Sequence, residues 1–333
     1  MKFSSNIHQL IPTTTALWAF SESGLGGVLH ALKVPFSGIV LGSISVILIT
    51  FLAFNSTSRW KTIMQAMLLV LVLKAMISPH TPVMAYVAVS FQGLLGAIIY
   101  QLFGVNRFSA MAFGCIALVE SAFQKVLTLT ILFGVQIWEA FSTFFDGLTQ
   151  KFGIELLHDL PLIVLISYGL LYAIAGILAG YFAFKLPQNI LKTAENLKGL
   201  ELNQFNPSEI NRKKRGRVRK VLIFISLLIF MATVFAITGE ADEVWYILIR
   251  TLVVLFVFLF LVNPLVKYLL NKWVKKKKVE EQKRLTQVMD QMPRIKQNAA
   301  IANHLTAKTR NPITRVRNFV LVWFTLSLYF EEL

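Results

Sequence analysis

What most limits this chain is the recurrence of apolar runs of about 17 to 25 residues, the length that crosses a hydrocarbon core. Eight such runs can be read: 11–32, 35–54, 62–78, 81–104, 108–134, 161–184, 220–238 and 244–270. Almost no polar sequence separates those in the first half of the chain. With 56% hydrophobic residues, 15% charged residues and a mean hydropathy of +0.63, the 333 residues carry more apolar surface than a soluble globule of that length buries. The expectation is an all-α, polytopic membrane protein with about eight transmembrane helices. Its first run is the most polar, since Ser21, Glu22, Ser23 and His30 fall inside it, and a re-entrant or surface segment stands there beside a full span. The N-terminus offers Lys2 alone and no small-residue cleavage site, so it does not read as a cleaved signal peptide. The one cysteine, Cys115, leaves no partner for an internal disulfide and reads as a small buried core residue.

Charge distribution orients these runs. The net charge is +16, but residues 185–220 hold ten Lys/Arg against three acids, and residues 267–318 hold fourteen against three. Together they contain 24 of the 33 basic residues, including RKKRGRVRK at 212–220 and KKKK at 275–278. Between their flanking runs lies EADE at 240–243, with three acids and no base. The positive-inside rule places both basic segments in the cytoplasm and EADE outside. Counting back puts Arg59, Lys61, Arg107 and the N-terminus inside, and the acidic 135–160 segment outside; only Lys33 dissents. The basic runs begin or end within a residue or two of an apolar run and contain no aromatic stacking pattern, so they read as juxtamembrane attraction to anionic lipid and not as a nucleic-acid surface.

Four regions follow. Residues 1–184 form a six-helix transmembrane unit that would bind substrate, 185–219 a basic cytoplasmic linker, 220–270 a transmembrane helical hairpin and 271–333 a basic cytoplasmic amphipathic tail. In the tail, Leu285, Val288, Met289 and Met292 have amphipathic-helix spacing, with Pro293 expected to end the helix. The last apolar run, 318–330, is too short to cross; with Trp323 and Tyr329 it reads as lying on the membrane or docking on a partner.

Ionisable groups inside spans cost about 2.5–3.5 kcal/mol each on insertion scales, so each asks for a reason. The candidates are Glu22, Lys74, Glu120, Lys125 and Arg250. Glu22 and Glu120 fall near mid-depth, and Lys74 and Lys125 in the outer half. Two readings stand side by side. In one, Lys74–Glu120 or Lys125–Glu22 are structural ion pairs, the lysine stems reaching outward. In the other, these groups line a polar pocket open to the outside that binds a small charged molecule. Lys74 and Lys125 would then be charge partners for a carboxylate or phosphate, Glu22, Glu120, Gln92 and His80 would orient the ligand, and Gln92, Gln124 and Tyr100 could add hydrogen bonds. Glu120 and Gln124 share a helix face, whereas Lys125 points about 140° from Glu120. His80 sits between Pro79 and Pro82, which fits a stiff binding-site rim or a plain helix-ending turn. Thr15, Ala19, Ser23 and Gly27 form an i+4 ladder of small residues, and GIVLG at 38–42 and GILAG at 176–180 are small-xxx-small pairs. These either pack the bundle internally or present a groove to a partner.

Other chemistry is unsupported. No GxxxxGK[ST] phosphate loop is present, the five histidines lack ligand spacing, and EADE is the one acidic cluster, so neither a metal, a cofactor nor an enzymatic centre is expected.

The stretches GLGGVLHALKVPFSGIVLGSISVI (24–47), KAMISPHTPVMAYVAVSFQGLLGAIIY (74–100) and SAFQKVLTLTILFG (121–134) follow in an order that resembles the substrate-binding S components of energy-coupling-factor vitamin transporters. The resemblance covers residues 11–184. It implies a bacterial inner-membrane protein capturing a small polar or anionic vitamin or cofactor precursor, while the charge distribution puts both termini in the cytoplasm. It also implies a separate membrane scaffold subunit and ATPase subunits as partners, with Thr15, Ala19, Ser23 and Gly27 nearest to the family's scaffold-contact motif. Residues 185–333 lie outside it, although a basic hairpin and helix loosely resemble the scaffold subunit itself. The alternatives are a membrane-embedded scaffold whose basic tail recruits a cytoplasmic partner, and a secondary transporter running on a proton through Glu22 or Glu120.

Overall fold

A computed structural model describes residues 7–26, 36–78, 81, 83–152, 160–197, 279–307, 309 and 311–329, together with a π-helical stretch, Val257–Val262, and scattered positions between 253 and 272. Among the described residues there is no strand. The helices are α1 (Ile7–Phe20), α2 (Ser37–Phe54), α3 (Arg59–Ile77), α4 (Val83–Phe103), α5 (Arg107–Phe133), α6 (Gln136–Phe152), α7 (Leu160–Leu197), α8 (Val279–Thr306) and α9 (Pro312–Tyr329). The run 220–238, EADE, Arg250, His30, Lys33, His80 and Gly27 lie outside the described residues.

Among the described residues five helices are long and apolar enough to cross a membrane: Ser37–Phe54, Arg59–Ile77, Val83–Phe103, Arg107–Ile131 and Leu162–Leu197. They coincide with the second to sixth apolar runs. Their ends have local causes. Asn106 caps α5 by accepting from the Ser109 N–H at 2.9 Å, and the Ser109 hydroxyl accepts from the Asn106 N–H at 3.0 Å. Gly134, at φ 81°, ends the same helix in a conformation few other residues adopt. The first run is different. It gives the 14-residue α1 and a π-turn at Ser21–Leu25, closed by the Gly26 N–H donating to the Ser21 carbonyl.

The bundle centres on α2, which packs against α3, α4, α5 and α7, while α1 lies against α2 and α3 on one side and α8 and α9 on the other. Residues Thr13 to Ala19 are consequently buried without a break, so α1 has no free face over that stretch. Trp18, Phe51, Tyr100, Phe113, Trp323 and Phe324 are the largest fully buried side chains.

The closest approach is between α5 and α7. A Cβ added at Gly114 would collide with the Gly176 carbonyl, and one at Gly180 with the Ala110 carbonyl, so here backbone meets backbone. GILAG thus packs the bundle internally. GIVLG does the same, with Gly38 against Tyr172 and Gly42 against Leu118 and Gln92.

Beyond residue 184 the structure differs from the sequence expectation in three ways. Helix α7 runs unbroken past residue 184, through Pro187 to Leu197, so the start of the expected linker is helical. Pro293 does not end α8, which continues to Thr306. Val288, Ile295, Asn298 and Ala302 are all buried along one side of α8, and packing on both sides of the proline holds the helix together. The 318–330 run belongs to α9, which docks within this chain, on α8, α7 and α1. Trp323 is fully buried there: its indole N–H donates to the Ile295 carbonyl at 3.0 Å, and its ring meets Phe20 edge-on at 6.0 Å. It is a core anchor and not an interfacial one.

Candidate functional site

The π-turn after α1 inserts a wide turn into an otherwise α-helical segment, and it carries Glu22 into the bundle interior. There the carboxylate accepts from the Lys74 ammonium through Oε2 at 2.6 Å and from the Ser45 hydroxyl through Oε1 at 2.7 Å. Ser45 in turn accepts from the Trp18 indole N–H at 3.1 Å. Glu22 and Lys74 are 7% and 3% exposed, so this is a desolvated pair with both carboxylate oxygens engaged. One of the two sequence readings paired Lys74 with Glu120 or Lys125 with Glu22. The pairing found is Lys74 with Glu22, because the π-turn and the last turn of α3 lie side by side.

Lys125 is exposed on α5, one residue round the helix from the polar face, and makes no ion pair among the described residues. It therefore joins neither the Glu22 network nor Glu120. The 140° offset read from helix geometry accounts for this. Thr15, Ala19 and Ser23 are buried within the chain, and Thr15 and Ser23 return their hydroxyls to the Ile11 and Ala19 carbonyls. This part of the ladder is covered by the chain's own helices and offers no surface to a separate subunit.

A second polar group lies across α4 and α5. Gln92 is 2% exposed; its Nε2 donates to the Ser121 hydroxyl at 3.5 Å, but its Oε1 has no hydrogen-bond partner. One helix position from Ser121, Glu120 Oε2 is buried and unpartnered, and so is Gln124 Nε2 one turn further on. Gln92 also abuts α2 at Gly42, three residues before Ser45. Toward the start of α2, Gly38 faces Tyr172 and Ser121, and Tyr172 accepts a hydrogen bond from Tyr168 at 3.1 Å. Phe36, in a left-handed conformation at φ 58°, lies against the Tyr168 ring at 6.4 Å. A buried polar atom without a partner loses about 1–3 kcal/mol relative to a paired one. Three of them lie on two adjacent helices joined by the Gln92–Ser121 contact, whereas both oxygens of the Glu22 carboxylate are engaged.

The sequence reading named Glu22, Lys74, Gln92, Glu120 and Gln124; it did not name Ser45, Trp18, Ser121 or Tyr172, which the structure places against them. The i+4 spacing of Trp18 and Glu22 was a usable signal for a shared face. Nothing local marks Ser45 or Ser121, whose roles depend on which helix faces them. Among the described residues no group of three or more His, Cys, Asp or Glu could hold a metal ion.

Fold and site together define an all-helical protein with several apolar helices suited to a membrane. Comparison with family models, with curated proteins and with solved structures returns no match for this chain.

Proposed function

We propose that the chain is a membrane solute-capture subunit that binds a small polar molecule among Gln92, Glu120, Ser121 and Gln124, and that separate ATPase subunits energise its uptake. The observation that carries this reading is the unpartnered Gln92 Oε1, almost fully buried, on a side chain that reaches Ser121, with the unpartnered Glu120 Oε2 and Gln124 Nε2 on the same helix as Ser121. Polar atoms left unsatisfied at such depth are explained when a ligand supplies their hydrogen bonds. The absence of a phosphate loop from the sequence fits an energy source on another chain.

The charge balance favours a neutral or cationic, donor-rich ligand over the anion expected from Lys74 and Lys125. Lys74 is already held by Glu22, Lys125 is exposed, and the ionisable group left in the cluster is the acid Glu120. Tyr168 and Tyr172 nearby would suit a ligand with a planar face.

Mass spectrometry of small molecules released on denaturing the gently purified protein tests this. The unmodified chain should yield one compound near stoichiometric amount. Gln92→Leu and Glu120→Gln should each reduce it by roughly tenfold, the scale of one buried hydrogen bond to a polar or charged group. Recovery of lipid alone, or retention by both variants equal to that of the unmodified chain, would overturn the proposal.

One observation favours a scaffold role alongside it. Helix α8 buries one side in the chain and leaves Lys283, Gln287, Asp290 and Gln297 exposed, a polar face suited to a cytoplasmic partner. Exchanging the charges at Lys283 and Asp290 should then abolish co-purification of an ATPase partner while leaving the small-molecule content unchanged. A parallel loss of both would count against a separate docking face.

A further inference from the structure

A cavity of about 880 Å³ lies between the end of α1 and the α8–α9 hairpin, away from the polar cluster on α4 and α5. Its walls are apolar: Phe20 and Leu25 from the α1 side, Val316 and Phe319 from α9. The space exists because Gly24, Ala299 and Ala300 put almost no side chain there. Two cations line the same cavity, Lys296 on α8 and Arg315 on α9. Both are exposed, and neither makes an ion pair with a carboxylate among the described residues. The volume is that of a pocket for a sizeable organic ligand.

An apolar chamber with unpaired cations on two of its walls fits an amphiphile that carries a negative head and a hydrocarbon body. A small hydrophilic anion would leave the aromatic and aliphatic wall unsatisfied, and a neutral lipid would leave both cations without a counter-charge. We infer that the cavity binds an anionic phospholipid, one acyl chain lying against Phe20, Leu25, Val316 and Phe319 and the phosphate held by Lys296 and Arg315. This site rests on residues independent of the solute site proposed above. The lipid would also bridge α1 to the hairpin, filling a gap between elements that already meet through Phe20 and Trp323.

Native mass spectrometry of the full chain, incubated separately with phosphatidylglycerol, phosphatidylcholine and oleate, tests the assignment. Phosphatidylglycerol should be retained at one molecule per chain, well above the other two. Lys296→Glu with Arg315→Glu should lower that occupancy by about tenfold or more, since each basic residue contributes a comparable share of anionic-lipid attraction. Ala300→Trp, which fills the chamber and leaves both charges in place, should lower it as well. Lys151→Glu, an exposed lysine on α6 outside the cavity, should leave it unchanged. Equal retention of phosphatidylcholine, preference for oleate, or phosphatidylglycerol binding indifferent to the cavity variants would overturn the inference. Monodisperse elution of the surface double variant separates loss of lipid from loss of fold.

Discussion

Replacing Lys74 by Met is expected to destabilise the bundle by about 3–5 kcal/mol, the usual effect of leaving one member of a buried ion pair without its partner. Glu22 would remain at its present depth with Ser45 as its one donor, because the π-turn holds it there. In thermal unfolding in detergent the midpoint should fall by roughly 10 °C. The double variant Glu22→Gln/Lys74→Met should recover most of the loss. Glutamine keeps an acceptor for Ser45, methionine fills the lysine's volume, and neither carries charge into the interior. A Lys74→Met protein as stable as the original would show that the pair contributes nothing to folding. A double variant no better than the single would place the importance of Lys74 elsewhere than in its pairing with Glu22.

The second large effect is expected at the α5–α7 crossing. Gly176→Leu should cost about 3 kcal/mol or more, and Gly114→Leu a similar amount, because each side chain would begin inside the facing backbone. Backbone cannot swing aside as a flexible side chain does, so the two helices must separate along their whole contact. Gly169→Ala on the same helix α7 is the control. Nothing lies within 4 Å of a Cβ at Gly169, and the change should be neutral or stabilising by up to about 1 kcal/mol through helix propensity. Unfolding midpoints of the three variants decide it. Equal tolerance at positions 176 and 169 would mean that close backbone approach is not what holds these helices together.

The five long apolar helices were legible before any coordinates, since crossing length and the lack of interruption are properties of the chain alone. The internal role of the glycine pairs was half legible. Their i+4 spacing announced a close helix contact, but only the facing Ala110 and Gly114 identified the other surface. The polar site was legible as a set of residues and illegible as a set of partners. Glu22, Lys74, Glu120 and Lys125 are conspicuous because ions are rare in apolar runs. Their pairing depends on azimuth and on the neighbouring helix, and the π-turn at Ser21–Leu25 alters the azimuth of Glu22 without any marker beyond its small residues. Helices α8 and α9 were the least legible. Their charge suggested an amphipathic cytoplasmic tail with its last run on the membrane or on a partner, yet Val288, Ile295, Ala302 and Trp323 give them a buried side that covers α1.

By itself the sequence determined that this is a helical chain with several membrane-length apolar segments, because length, hydropathy and charge bias act segment by segment and need no partner. Only the tertiary structure decided that Lys74 meets Glu22, that Gln92 and Glu120 keep unpartnered polar atoms, and that α8 and α9 close over α1. Each of these depends on which faces of separate helices come within hydrogen-bond or van der Waals reach, and a one-dimensional pattern carries no such distance.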